Sequence, residues 1–230
     1  MNVTDYADVK IPVGNKLCII FDHQRQLMEK YHDIEEKNLG RKIPSTSWAH
    51  QLYCGPLDIQ DRDSQLRLKD FYERITEEIT EATICLSDNT DKTHFEEELI
   101  DALHFMIEFS IMSGVMESDL SHSEDGLEAL FAGITVPRVG TLNSSLAHRF
   151  IRLNAYQVVE KLGDACNRLK LKPWKSSAIL TDINLYRESV KQSFYYLIEL
   201  LASVGFTAES ATKMYLQKNH VNKFRQNSNY

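Results

Sequence analysis

From Glu98 to Met112 the chain reads ELIDALHFMIEFSIM. Wound as a helix, this stretch places Leu99, Ile100, Ala102, Leu103, Phe105, Met106, Ile107, Phe109, Ile111 and Met112 nearly all the way round the axis. A helix of that kind needs apolar neighbours and is buried on most sides. Its polar line, Glu98, Asp101, His104 and Glu108, must then face something polar inside the protein. The idealised cost of desolvating an ion is on the order of 20 kcal/mol, and in practice such a group takes up a proton, a counter-charge or a metal.

A second carboxylate pair lies just upstream. Glu78 and Glu81 are spaced i, i+3, as are Glu98 and Asp101, and that spacing puts each pair on one helix face about a turn apart. Four such groups can close around a divalent cation. Their hard oxygens suit Mg²⁺, with Mn²⁺ as an alternative, and Mg²⁺ usually leaves positions for water and substrate phosphates. One ExxE alone reads more readily as a solvated face. Two pairs joined by a short loop, the second on an otherwise apolar helix, favour the metal reading. His104 reads as a core histidine rather than a ligand, because Mg²⁺ prefers oxygen. Phe105 fits the core, with a stacking role also open.

The whole chain fits an ordinary globular protein, with 43% hydrophobic and 26% charged residues. Its net charge of -7 argues against a general nucleic-acid binder, which presents a basic surface. No apolar run is long enough to span a bilayer, and MNVTDYADVK lacks the order of a signal peptide. A cytoplasmic protein without a membrane partner is expected. Cys18, Cys54, Cys85 and Cys166 are scattered without a CxxC pair, as reduced, mostly buried thiols would be.

Helical spacing predicts a first helix over 16–38, with Gln24 the exception on its apolar face and Gly40 as its stop. A buried amide must be hydrogen-bonded, so Gln24 is tied to a neighbouring helix or reads a ligand. Residues 41–62 break into a loop with room for one short helix, and Trp48 in it either packs or walls a base pocket. Helices are expected over 64–86 and 94–113, joined by a polar turn so that the two acidic pairs face each other. Residues 116–145 read as a long mobile connection, and 115–185 as an insertion or mobile segment within a single domain spanning 1–230. Further helices follow at 146–169, from Asp182 towards Gly205, and from an N-cap at Thr207. Near the end of the last one, Lys218, Asn222 and Arg225 fall at i, i+4 and i+7, where they form a solvated face or meet a triphosphate. There is no strand-like alternation, so the fold class is all-α, an antiparallel helical bundle.

The run Glu77-Glu78-Ile79-Thr80-Glu81, followed by Glu98-Leu99-Ile100-Asp101, resembles the EExxE and ExxD signature of the all-α nucleoside triphosphate pyrophosphatases, the group holding the MazG proteins and the dimeric dUTPases. Ala102-Leu103-His104-Phe105 and the tail from Lys218 to Gln226 are similar to the dimeric dUTPase branch and the T-even phage dCTP/dUTP pyrophosphatase. The resemblance is good over 16–114 and 186–230 and weak between. It implies that Glu78, Glu81, Glu98 and Asp101 bind Mg²⁺ and that Glu77 orients or deprotonates the attacking water. It implies further that Lys218, Asn222 and Arg225 meet the nucleotide, that Gln24, Trp48 and Phe105 form the base pocket, and that the protein is a homodimer. The expected reaction converts a deoxynucleoside triphosphate, dUTP first and dCTP next, to the monophosphate and pyrophosphate.

Two departures stand out. The interval between the acidic pairs is the short SDNTDKTH, where relatives often carry a Trp/Lys-rich stretch, and Trp174 and Lys175 are candidates to supply those contacts. Asn229 stands before Tyr230 where the family usually has Gly. Three rivals remain: a MazG-like enzyme of broader specificity, a ferritin-like di-metal carboxylate bundle, and a non-catalytic helical interaction module. The second needs a Glu-x-x-His motif from each of two helices, and only Asp101-Ala102-Leu103-His104 approaches it.

Overall fold

The structure, a computed structural model, describes residues 3–44, 56–87, 92–135, 145–172, 174 and 179–227. After a 3-10 turn at Val3–Tyr6 come α1 (Lys16–Leu39), α2 (Arg62–Ser87), α3 (Lys92–Ser113), α4 (Glu117–Leu120), α5 (Leu127–Ala132), α6 (Ser145–Arg168), α7 (Ile183–Ser203) and α8 (Ala208–Asn227). Among the described residues there is no strand. The all-α expectation holds, and the long helices match their expected positions to within one to two residues at most ends.

Local chemistry sets those ends. Asn15 caps α1 by accepting from the backbone N–H groups of Leu17 and Cys18, and Gly40 closes it at φ 62°, a left-handed conformation that favours glycine. Asp182 caps α7 through Asn184 and Leu185. The Thr207 hydroxyl accepts from the backbone of Ser210 at the start of α8. Beyond α3, Gly114 takes φ 74°, and a Cβ there would fall 2.4 Å from the Arg187 guanidinium and 2.9 Å from Pro56. That close approach lets Arg187 donate from Nε to the Ser113 carbonyl at 3.1 Å, satisfying an end of α3 that would otherwise be unpaired.

Helix α3 is the central rod. It packs against α1, α2, α7 and α8, and Leu99, Ile100, Ala102, Leu103, Met106, Ile107, Phe109, Ile111 and Met112 are all at most 1% exposed. Its closest packing is with α2. The short link between them and the meeting of Glu78, nine residues before the end of α2, with Glu98, six after the start of α3, make the pair an antiparallel hairpin. On the far side of α2, α6 pairs with α7, joined by the Ser189 hydroxyl donating to Asp164 at 2.7 Å.

One part reads differently from the sequence expectation. Residues 116–135 were expected as an irregular mobile connection; they contain α4 and α5, bury Leu120 and Leu127, and are held by the Tyr195 hydroxyl donating to the Leu120 carbonyl at 2.9 Å. Short helices of four and six residues carry too little periodicity to be read locally. Arg25, on α1, is buried and forms a two-pronged pair with Glu117 at 2.6 and 2.9 Å, an anchor between α1 and α4 that helical spacing cannot indicate. Within the expected insertion at 115–185, α6 buries Ile151, Val158, Leu162 and Ala165. Cys18 is exposed, whereas Cys85 is buried, so the expectation of mostly buried thiols holds for the latter; Cys54 lies outside the described residues.

Because Leu103 is fully enclosed on the central rod, Leu103→Ala should lower unfolding stability by about 2–5 kcal/mol. Urea denaturation followed by circular dichroism measures it, and a loss below about 1 kcal/mol would contradict the packing described.

Candidate active site

The polar line of α3 meets polar partners at every step, drawn from α2, α8 and α1. Glu98 and Asp101 gather with Glu78 of α2, and one carboxylate oxygen from each lies within 4.8 Å of the others. Burial is the first reason that the Glu78 carboxyl is held well above the usual carboxylate range; a hydrogen bond to Glu98 and the negative charge of Asp101 add to it. Asp101 is pushed up to about 6, again chiefly by burial, with the nearby Lys218 ammonium working in the opposite direction. Three acidic groups crowded in this way are short of positive charge.

Part of that charge comes from α8. Lys218 Nζ donates to Asp101 Oδ2 at 2.6 Å and to Glu97 Oε2 at 3.4 Å, with its side chain only 9% exposed. Asn222 is half-buried and Arg225 exposed, so the i, i+4, i+7 row on α8 runs from the acidic group out to the surface. At the other edge His94 Nδ1 lies 3.0 Å from Glu98 Oε1.

One turn further along α3, His104 and Glu108 enclose Gln24 of α1. The Gln24 amide nitrogen donates to Glu108 at 2.8 Å, while its oxygen accepts from the Tyr215 hydroxyl at 2.6 Å and lies 3.0 Å from His104 Nδ1. Burial drives His104 down to about 3, so the ring is neutral; with Gln24 Oε1 as acceptor, its proton sits on Nδ1. The His104 and Tyr215 rings stack 3.8 Å apart. The sequence left open whether Gln24 is tied to a neighbouring helix or reads a ligand, and the structure ties it to two, α3 and α8. His104 is a core histidine, as expected.

The remaining sequence candidates are placed as follows. Glu81 and Glu77 are exposed on α2, and Glu81 stands outside the group formed by Glu78, Glu98 and Asp101. Phe105 is partly buried, edge-on to Phe71 at 6.0 Å and 5.9 Å from the Arg74 guanidinium. Arg74 and Arg67 both pair with Glu35 of α1 at 2.7 Å. Trp174 is 77% exposed with the Lys172 ammonium over its ring. Trp48, Lys175 and Asn229 lie outside the described residues. Sequence reasoning missed Tyr215 and Glu97. Tyr215 precedes Lys218 by three residues, the same spacing that separates Asp101 from His104, and that parallel was the available signal. Glu97 was hidden in a run of three glutamates.

A family model described as dUTPase matches residues 86–230. The chain belongs to the all-α dUTPase family. It is accordingly an enzyme, a nucleoside triphosphate diphosphatase. The matched residues take in α3, with Glu98 and Asp101, and α8 with Lys218, whereas Glu78 and Gln24 come from helices that precede them. Comparison with curated proteins and with solved structures finds no match. Among the described residues, no helix of this dUTPase is long and apolar enough to cross a membrane.

The fully buried Glu108 carries a pH dependence of its own. Burial pushes its carboxyl from 4.5 up to about 7, so between those values the folded state holds a proton that the unfolded chain has released, and stability falls as pH rises through that window. Glu108→Gln removes this contribution, while its amide oxygen can still accept from Gln24. Relative to wild type, the variant should gain about 1–3 kcal/mol between pH 5 and pH 8, read from paired thermal melts. A stability difference that stays constant with pH would disprove it.

Proposed function

We propose that this dUTPase hydrolyses dUTP, and dCTP less readily, to the monophosphate and pyrophosphate with Mg²⁺ held by Glu78, Glu98 and Asp101. The observation that carries the reading is the convergence of three carboxylates from α2 and α3 to within 4.8 Å, with Lys218 beside them. The donor set fits: the ligands are all hard oxygens, as Mg²⁺ or Mn²⁺ prefers, and burial first, with the neighbouring carboxylates adding, holds the Glu78 and Asp101 carboxyls above their usual range. Glu81 is the fourth ligand implied by the family signature, and it is exposed on α2 outside the group of three. When bound, the cation supplies neutralisation of phosphate charge and acidification of water.

The chain's own residues do the rest. Glu77, exposed beside Glu78, is proposed to orient or deprotonate the attacking water. Lys218, Asn222 and Arg225 lie in a row that suits a chain of phosphates, with the buried ammonium at the inner end and the guanidinium at the rim. Phe105 is offered as a stacking surface for the base, and its ring is held by Phe71 and Arg74. Gln24 supports that pocket from beneath by fixing His104 and Tyr215. Trp48, Trp174 and Lys175 are proposed from the family resemblance to complete the nucleotide contacts, and the same resemblance supports a homodimer.

The test is a panel of deoxynucleoside triphosphates with Mg²⁺, scored for pyrophosphate. dUTP should be the best substrate, and chelation with EDTA should stop turnover. Glu98→Gln and Asp101→Asn should each reduce kcat by about a hundredfold or more while circular dichroism shows an intact helical protein. Near-normal pyrophosphate release by both variants would refute the ligand assignment.

A further inference from the structure

Lys218 was expected to meet the nucleotide, yet its ammonium is bonded to Asp101, a proposed cation ligand, at 2.6 Å. This is no casual surface pair. The lysine side chain is 9% exposed, its second partner Glu97 lies 3.4 Å away, and the pair ties α8 to α3. Exposed ion pairs contribute little, but breaking a buried one leaves an uncompensated charge. The bond will therefore open only when both partners are offered replacements.

Building on the proposed metal reading, we infer that Lys218 is the resident counter-ion of Asp101 and must be drawn off before the site holds a divalent cation firmly. The triphosphate supplies what the exchange requires. It brings anionic oxygens that replace Asp101 as the partner of Lys218, and the freed carboxylate turns to the cation. Lysine suits this role because its ammonium is a compact charge on a flexible four-carbon stem, able to change partners without α8 moving. Asn222 and Arg225 extend the row outward, so an arriving phosphate chain reaches Lys218 last. Cation and triphosphate then strengthen each other's binding, and linkage makes that coupling reciprocal. The free enzyme keeps its acidic group partly neutralised and has low affinity for stray divalent ions.

The test is calorimetric titration of Mn²⁺ into the nucleotide-free protein. Lys218→Met should bind Mn²⁺ about tenfold more tightly than wild type, a conservative fraction of what Coulomb's law gives for two charges about 4 Å apart in a partly buried site. Lys218→Gln, a second variant with a polar head should methionine disturb folding, should do the same, while Lys218→Arg should stay near wild type. Helicity is checked for each by circular dichroism. The factor by which Mn²⁺ improves binding of a non-hydrolysable α,β-imido dUTP should be larger in wild type than in Lys218→Met. If neither neutral variant tightens Mn²⁺ binding, and Asp101→Asn still abolishes it, the role of the lysine is overturned and the acidic site stands. Mn²⁺ binding indifferent to Asp101→Asn overturns the site itself, and the lysine's role with it.

Discussion

Four ionisable side chains along the most enclosed helix of the protein have to find partners, and the rest of the architecture answers that demand. Glu98, Asp101, His104 and Glu108 lie on a rod whose other faces are filled by the core, where an unpartnered charge would be prohibitive. They are answered from three helices: Glu78 from α2, Lys218 and Tyr215 from α8, and Gln24 from α1, which serves both His104 and Glu108. The same burial that makes these groups costly gives them their chemistry. It raises the proton affinity of Glu78, Asp101 and Glu108 and holds His104 neutral.

The line divides into two functional halves. Towards the start of α3, charge dominates: carboxylates crowd together, and a single ammonium offsets part of their repulsion. Towards its end, neutral hydrogen bonding takes over, with the Gln24 amide using its oxygen and nitrogen to connect Tyr215, His104 and Glu108. Buried networks of this kind favour one arrangement of helices, and this one links α8 to α3 through Gln24, with only His104 Nε2 among its ring and amide nitrogens left without a partner. The register of α8 places Lys218 opposite Asp101. The end of the Lys218, Asn222, Arg225 row and the acidic group thus meet at a defined edge, one turn from a hydrogen-bonded lock that helps set their alignment.

Much of this was legible in the sequence. The all-round apolar pattern of 99–112 marked a helix buried on most sides, and the polar line of Glu98, Asp101, His104 and Glu108 marked the side that meets polar groups. Three of the four residues in the i, i+3 acidic pairs come together, and Gly40, Asp182 and Thr207 marked helix ends by their own backbone and side-chain chemistry. Less was legible where order depends on distant contacts. The helices of 117–132 are short and are held through Arg25 and Tyr195, so nothing local announces them. Gln24 stood out as an anomaly, but its two possible readings could not be separated without knowing what faced it.

The sequence by itself determined the helical class and the ends of the long helices, because these follow from periodicity and capping within a few turns of chain. Only the tertiary structure decided the partners. Tyr215 reaches Gln24 across 191 residues, Lys218 meets Asp101 rather than open solvent, and Glu78 enters the acidic group while Glu81 stays outside it. Such pairings depend on how helices are rotated and shifted against one another. That choice belongs to the packing of the whole core, and no single helix carries it.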